Sequence, residues 1–175
     1  MAELTVVIPT IKDEVRTLDS IPDHVPVLIE REGSLNEARN RGVRNAETEI
    51  VAIMDDDIAF PEETLENLAE QASPDTLIGI EDWDFDLIAG RVMVFYKDLW
   101  YDVGGFDERL GSHMGDTEFA LKVTKNGYSV EQLPRELFDH KEHKRSITRW
   151  DRVWRTIYIA AKHPTASLRL LRGVL

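Results

Sequence analysis

The sequence of 175 residues contains no cysteine. Disulfide-stabilised folds, zinc sites with cysteine ligands and thiol catalysis are therefore excluded. The sequence also has no apolar run near the roughly 18 residues that a membrane-spanning helix needs. Its first residues, MAELTVVIPT, carry no basic segment ahead of the short apolar run. The sequence thus predicts no secretory signal and a cytoplasmic protein with one main domain.

Basic residues are scarce over most of the chain. Lys and Arg total 21 against 33 Asp and Glu, which gives a net charge of −12. Residues 1–140 carry 31 acidic and 12 basic side chains, whereas residues 141–175 carry 2 acidic and 9 basic ones. An acidic body repels phosphate backbones, so we expect no nucleic-acid partner. The acidic, lysine-poor composition fits a halophilic protein, whose self-repulsion salt would screen, and an acidic mesophilic protein equally well.

Apolar runs alternate with helical segments along the chain. Ser34 and Glu37 have the spacing of a capping box, and Gly127 is placed to end a helix. The predicted strands are 4–8, 25–29, 49–54, 77–80, 87–96 and 128–133, and the predicted helices are 34–46, 61–72 and 116–126. This order predicts an α/β layered fold with a largely parallel central sheet flanked by helices. In such sheets, ligands bind beyond the carboxyl ends of the strands.

Three consecutive acids, Asp55, Asp56 and Asp57, follow the predicted strand over 49–54. Adjacent carboxylates repel each other, so the cluster needs either full solvation or a cation. Carboxylate oxygens are ligands that Mg²⁺ and Mn²⁺ prefer and share with diphosphates. A solvated turn leading into a helix that starts at Pro61 explains the same residues, and the cluster alone leaves both interpretations open.

Two later residues are also candidates for chemistry. Asp116 stands at the start of a predicted helix, where it suits either a cap or a general base at the rim of a pocket. His140 follows the last predicted strand. It is either an ordinary surface histidine or a further ligand for Mn²⁺, which accepts both imidazole and carboxylate.

The order of these segments resembles that of family 2 glycosyltransferases, which have the GT-A fold. The segments are TVVIPT, NEARNRGV, EIVAIMDDDIAFPEETLENL and GGFDERLGSHMGDTEFALKVTKNGYSV, followed by a histidine. The resemblance covers about residues 4–145. It implies a catalytic domain over 1–143 and a C-terminal basic, amphipathic helical extension over 144–175. It also implies an inverting glycosyltransferase of the hexosyltransferase class that uses a nucleotide-sugar donor and Mn²⁺ or Mg²⁺.

The resemblance also assigns roles to individual residues. It implies that Asp55, Asp57 and His140 bind the metal, the first two within the DxD motif of the family. It implies that Asp116 is the catalytic base and that Glu118 is the second acid of the same motif. The residues that it implies at the nucleotide-sugar are Thr10, Glu30, Arg39, Asn40 and Asp56.

The sequence departs from the family pattern at two places. Gly115 stands where an acid usually precedes the base. The chain is also short between the second and third strands, where VLIEREGS runs almost directly into NEARNRG. Either Glu30 or Glu32 replaces the acid that reads the base, or no residue does. Loss of that hydrogen bond would weaken donor binding roughly 10- to 100-fold and leave the metal and diphosphate site in place.

Two other functions fit parts of the pattern. A nucleotidyltransferase of similar fold also holds a metal on phosphates with acids, but it would need a glycine-rich, basic loop after the first strand. Residues 9–14, PTIKDE, have neither property. A non-catalytic module that binds sugar nucleotides is consistent with the shortened nucleotide site.

The segment 145–162 forms a basic amphipathic helix by its periodicity. Ile147, Trp150, Val153, Trp154, Ile157, Tyr158 and Ala161 fall on one arc of roughly 140°. We expect this apolar face to pack on the acidic body. The alternative is peripheral contact with an anionic membrane at its inner, cytoplasmic face, which would bring the site to a lipid-linked acceptor.

Overall fold

The computed structural model describes residues 3–82, 87–140 and 148–166. Its strands are β1 (Leu4–Pro9), β2 (Val27–Glu30), β3 (Ile50–Met54), β4 (Ile58–Ala59), β5 (Thr76–Glu81), β6 (Ile88–Tyr96), β7 (Ser129–Leu133) and β8 (Asp139–His140). Its α-helices are α1 (Leu35–Asn45), α2 (Thr64–Gln71), α3 (Lys97–Asp102), α4 (Gly115–Lys125) and α5 (Arg149–Lys162). Short 3₁₀ turns cover Arg16–Ser20, Glu108–Leu110 and Arg135–Leu137.

The main sheet has six strands in the order β2-β1-β3-β6-β5-β7. β1 pairs parallel with β2 and β3, and β5 pairs parallel with β7, whereas β6 is antiparallel to both of its neighbours. The predicted α/β fold with a mostly parallel sheet is therefore confirmed. β2 lies at an edge of the sheet and directly follows Pro26, a residue without an amide hydrogen, which a position at a sheet edge tolerates.

The core has two layers, one on each face of the main sheet. Alternate residues of β1 point to opposite layers, since successive side chains of a strand face opposite ways. Val6 and Ile8 pack with Leu65 and Leu68 of α2, and Val7 packs in the layer that contains α1 and α4. β3 is buried along its whole length, so its carboxyl end emerges from the centre of the protein.

Local sequence signals predicted the start of one helix correctly and the start of another wrongly. α1 begins with the predicted capping box, in which Ser34 and Glu37 exchange hydrogen bonds. The predicted start of α2 at Pro61 is wrong. Residues 61–63 form a turn in which the Thr64 N–H donates to the Pro61 carbonyl at 3.0 Å, and the helix begins only at Thr64. The six-residue helix α3 was not predicted because it is too short to show a helical period.

A second, two-stranded sheet joins β4 to β8 in antiparallel pairing. Ile58 pairs with His140 and Ala59 with Asp139, and Arg16 binds the Asp139 carboxylate at 2.6 Å. This sheet was not predicted, because two-residue strands leave no pattern in a sequence. It sets the position of His140 beside the turn that follows β3.

The C-terminal helix α5 does not pack as expected. Its fully buried residue is Ile159, whereas Trp150, Val153, Trp154 and Ile157 are exposed. The expectation that the apolar face of this helix covers the acidic body is therefore wrong for the residues described. Residues 145–147 of the predicted helix lie outside the described part of the chain.

Candidate active site

The site is centred on the turn that follows β3. Asp55, Asp57 and His140 each offer one ligand atom, and these atoms all lie within 4.8 Å of one another. His140 Nε2 is 3.3 Å from Asp57 Oδ1, a position that depends on the pairing of β8 with β4. The structure thus brings together the three residues that the resemblance assigned to a metal.

The chemistry of this donor set fits a hard divalent cation. Burial raises the pKa of Asp55 to about 6; the nearby Arg39 guanidinium opposes this shift, and the Asp57 and Asp56 carboxylates add to it. A carboxylate in that environment is stabilised by a positive charge close to it. Two carboxylates and an imidazole are ligands that Mn²⁺ accepts, and Mg²⁺ accepts the carboxylates readily.

Asp56 points to a different neighbourhood from the other two acids. Its carboxylate accepts a hydrogen bond from the Thr10 hydroxyl, at the end of β1, and binds Lys12 Nζ at 2.6 Å. Lys12 is also 3.6 Å from Asp57, and the hydrogen bond to Asp56 raises the pKa of its ammonium group despite partial burial. Thr10 and Asp56, both implied at the nucleotide, therefore lie together beside the candidate metal ligands.

Asp116 lies close to a buried arginine. Its carboxylate accepts hydrogen bonds from the backbone N–H of Gly90 at 2.7 Å and of Thr117 at 2.9 Å. Arg39, which donates to the Gly90 carbonyl at 2.9 Å, is buried and interacts electrostatically with both Asp116 and Asp55. Burial lowers the pKa of Arg39, and both carboxylates oppose that shift. One guanidinium therefore links the acid cluster to the predicted base.

The interpretation of Asp116 as a helix cap is wrong. α4 begins at Gly115, and its N-cap is Met114, in the left-handed region with φ 59°. Asp116 is thus the second residue of the helix and points to the backbone of Gly90. A Cβ on Gly90 would lie 2.8 Å from Asp116 Cβ and 2.7 Å from Arg39 Nη2, so the site needs glycine there.

Gly115 has a structural reason to differ from the acid of the family. A Cβ on Gly115 would overlap the side-chain amide of Asn36. Asn36 is fully buried and donates to the Asp107 carbonyl at 2.9 Å. The amide of Asn36 therefore takes the space that a side chain at 115 would need.

Glu118 does not face the acid cluster. It is fully buried, and Oε1 contacts Lys162 Nζ at 2.7 Å and His163 Nε2 at 2.9 Å. Its Oε2 is 3.4 Å from Lys122 Nζ. Lys162 also binds Asp107 at 2.6 Å, and the Tyr158 hydroxyl donates to the same carboxylate at 2.7 Å. We call Asp107, Glu118, Tyr158, Lys162 and His163 the α5 anchor.

Asn40 and Glu30 are also engaged elsewhere. The Asn40 amide bonds to both backbone groups of Phe106 and to the Trp100 indole, which holds the loop after α3 in place. Glu30 is paired with Arg41, whose guanidinium also donates to the Glu32 carbonyl. The structure does not bring Asn40 to the acid cluster, and Arg41 is already bound to the carboxylate that would read a base.

Two residues of the site were not anticipated from the sequence. Lys12 follows Thr10 by two positions, and only the fold shows that its ammonium group pairs with the Asp56 carboxylate. Thr17 is fully buried and donates to the Asp55 carbonyl at 2.6 Å, while it accepts from the Ile58 N–H at 3.2 Å. It shapes the turn between β3 and β4, and no sequence signal marks it.

Comparison with known families gives a match over part of the chain. Residues 11–80 match the description "Glycosyl transferase family 2". This segment includes Asp55, Asp56 and Asp57 but not Asp116 or His140. No curated protein matches the sequence.

Solved structures of low sequence identity share the fold. A mannosyltransferase from Pyrobaculum calidifontis, in complex with GDP-Man and Mn²⁺, is 19% identical over 94% of this chain and 62% of its own, with a TM-score of 0.59. TarS from S. aureus is 16% identical over 98% of this chain and 41% of its own, with a TM-score of 0.60. The catalytic domain of Drosophila β1,4-galactosyltransferase 7, in complex with xylobiose, is 13% identical over 89% and 80%, with a TM-score of 0.65. This chain thus spans less than two thirds of the first two structures and shares the GT-A fold with all three.

Proposed function

Residues 11–80 match glycosyl transferase family 2, and on that premise we propose that this chain is an inverting, metal-dependent glycosyltransferase of that family. It moves a hexosyl group from a nucleotide-sugar donor to an acceptor hydroxyl. The observation that carries the proposal is the convergence of Asp55, Asp57 and His140 near a buried arginine, Arg39, whose charge also interacts with Asp116. That arrangement supplies a diphosphate-binding centre and a separate carboxylate within one site.

The proposed cofactor is Mn²⁺ or Mg²⁺, held by Asp55, Asp57 and His140. When bound, the metal supplies Lewis-acid stabilisation of the leaving diphosphate. The mannosyltransferase is in complex with Mn²⁺ and GDP-Man, and a second structure of the Drosophila enzyme, a mutant, is in complex with manganese and UDP-Gal. These ligands support a nucleoside diphosphate sugar as the donor class here.

The chain's own residues account for the remaining steps. Asp116 accepts the proton of the acceptor hydroxyl as that oxygen attacks the anomeric carbon, and its two backbone hydrogen bonds hold the carboxylate in position. Attack on the face opposite the departing diphosphate inverts the anomeric centre. Arg39 is buried, interacts electrostatically with both acids and offsets their mutual repulsion.

The nucleotide part of the site is proposed to lie at the ends of β1 and β2. Thr10 and Asp56 are hydrogen-bonded to each other there, with Lys12 as the adjacent cation. Since Glu30 is paired with Arg41, base recognition through Glu30 requires that pair to open. We therefore expect this chain to discriminate weakly among nucleotide bases.

The acceptor is proposed to be lipid-linked and to be reached at the inner face of a membrane. Among residues 3–82, 87–140 and 148–166, no helix is long and apolar enough to cross a membrane. Membrane contact by these residues would therefore be peripheral, through the C-terminal helical segment.

Hydrolysis of nucleotide sugars in the presence of Mn²⁺ tests the function without knowledge of the acceptor. We expect release of the nucleoside diphosphate by the wild-type chain and its loss in Asp57→Asn, which removes one metal ligand. Asp98→Asn is the matched control, because Asp98 is an exposed acid on α3, away from the site.

Two outcomes would overturn the proposal. Equal hydrolysis by wild type and Asp57→Asn would remove the metal assignment. Mn²⁺-dependent binding of a nucleotide sugar, with neither hydrolysis nor transfer to any acceptor tested, would favour the non-catalytic module.

A further inference from the structure

The α5 anchor turns the polar side of α5 toward the protein body. Ile159, on the same side, is fully buried. The Thr156 hydroxyl lies 4.0 Å from Met114 Sδ, immediately before α4. Docking through this side directs the opposite side of a helix toward solvent. This is the reverse of the usual arrangement, in which an amphipathic helix buries its apolar face.

An apolar stripe on α5 therefore faces outward. Trp150, Val153, Trp154 and Ile157 are 82%, 49%, 43% and 64% exposed, and they fall within about 100° of the helix circumference. They make up four of the nine large apolar residues that are exposed in the described part of the chain. Single exposed apolar residues are ordinary, but a contiguous stripe with two tryptophans marks an interaction surface.

We propose that this stripe inserts into the interface of an anionic lipid bilayer, with α5 lying in the plane of the membrane. Arg149 is exposed beside Trp150, and residues 141–175 carry 9 basic and 2 acidic side chains. Tryptophan favours the membrane interface, and basic residues beside an apolar stripe are attracted to anionic headgroups. The charge and the apolar side chains thus favour the same partner.

A second copy of the chain is a less suitable partner for the stripe. In a twofold dimer the same patch meets itself, which would bring together two C-terminal segments that each carry 9 basic and 2 acidic side chains over residues 141–175. An anionic bilayer neutralises those charges instead. We therefore assign the stripe to lipid and treat dimerisation as a competing outcome of the test.

The acidic body does not oppose this contact strongly. A helix with its side chains is about 10 Å wide, and α5 lies between the stripe and the body. At physiological ionic strength the Debye length is about 8 Å. Repulsion between the body and the headgroups is therefore largely screened, whereas Arg149, beside Trp150, lies at the surface.

The orientation also places the site near the membrane. Thr156 of α5 contacts Met114, which is two residues before Asp116. The loop that leads to the proposed base is thus about one helix diameter, or roughly 10 Å, from the bilayer surface. This part of the inference rests on the proposed function, since it identifies the acceptor as a hydroxyl presented at a lipid surface.

Sedimentation with vesicles tests the inference. The probe is the full chain mixed with vesicles of equal parts phosphatidylglycerol and phosphatidylcholine, at low and at high salt. We expect the wild-type chain to pellet at low salt. Combined Trp150→Ser and Trp154→Ser should lower the partition coefficient by about 10-fold for each tryptophan. Tyr101→Ser is the control, because Tyr101 is 56% exposed on α3 and should bind as the wild type does.

The outcomes are separable from the test of the proposed function. Wild-type chain that stays in the supernatant, or a double variant that pellets as well as wild type, would overturn the lipid assignment. So would a wild-type dimer in lipid-free solution that the double substitution dissociates, since the occupant would then be a second copy. Nucleotide-sugar hydrolysis without vesicles, measured on the same samples, should be unchanged by the tryptophan substitutions and reports on the catalytic proposal independently.

Discussion

The substitution Glu118→Gln separates a structural role for this residue from a catalytic one. Glu118 is fully buried and contacts two ammonium groups, those of Lys122 and Lys162, and the imidazole of His163. Glutamine has nearly the same shape and removes only the negative charge. We expect the variant to be markedly less stable than the wild type and to retain nucleotide-sugar hydrolysis well below its melting temperature.

The magnitude follows from the burial of the partners. Removing one member of a buried ion pair costs about 3–5 kcal/mol, because the remaining charge is left uncompensated. The Lys162 side chain is 35% exposed and recovers some hydration, and the amide oxygen of glutamine still accepts a hydrogen bond. We therefore expect a loss near the lower limit, about 3 kcal/mol in the free energy of unfolding. For a chain of this length, that corresponds to a fall in Tm of about 6–12 °C.

Urea denaturation followed by circular dichroism measures this loss. Glu131→Gln is the matched control, because Glu131 is exposed on β7 and should change stability by less than about 0.5 kcal/mol. A Glu118→Gln variant within about 1 kcal/mol of wild type would refute the stabilising role of the α5 anchor. A variant of normal stability that has lost hydrolysis would instead restore Glu118 to the catalytic role that the resemblance implied.

Three further results are expected. Asp116→Asn should lower sugar transfer by about 10²–10⁴-fold and leave donor binding measured by calorimetry unchanged; full transfer activity would exclude Asp116 as the base. Gly90→Ala should reduce transfer and hydrolysis together, because the added Cβ would displace both Asp116 and Arg39. Normal kinetics in this variant would show that catalysis does not depend on the positions of Asp116 and Arg39. Hydrogen bonds from Lys162 and Tyr158 lower the pKa of Asp107, although burial acts in the opposite direction. The ionised Asp107 therefore stabilises the folded state at pH values above its unfolded pKa of about 3.9. That stabilisation is lost as the pH falls below this value. The urea midpoint should therefore decrease on acidification in wild type and less in Asp107→Asn, and parallel profiles would contradict this.

The sequence was most informative for elements whose formation depends on residues that are close in sequence. β1, β3 and the capping box of α1 follow from local apolar runs and from the spacing of Ser34 and Glu37, and the structure confirms them. The convergence of Asp55, Asp57 and His140 was expected from the family order of the segments. The path by which it occurs, through the pairing of β8 with β4, was not visible in the sequence.

The failures have long-range causes. The apolar period of α5 predicted an inward apolar face, but pairing of Lys162 and His163 with Asp107 and Glu118 decides which side of the helix docks. Hydrophobic periodicity shows that two sides of a helix differ, and it carries no information about carboxylates that are distant in sequence. The alternative of Asp116 as a helix cap was wrong because Met114, not a polar residue, occupies the N-cap of α4.

The pairing of β4 with β8 also means that the proposed metal site would connect distant parts of the chain. Asp57 and His140 are separated by about 80 residues, and an ion bound by both would act as a reversible cross-link over that loop. Ligands that bind only the folded state add stability by mass action, about 2.7 kcal/mol at 100 times their Kd. Mn²⁺ should therefore protect this short ribbon against local opening, and removal of the ion should make proteases cut near residue 140 before the main sheet unfolds.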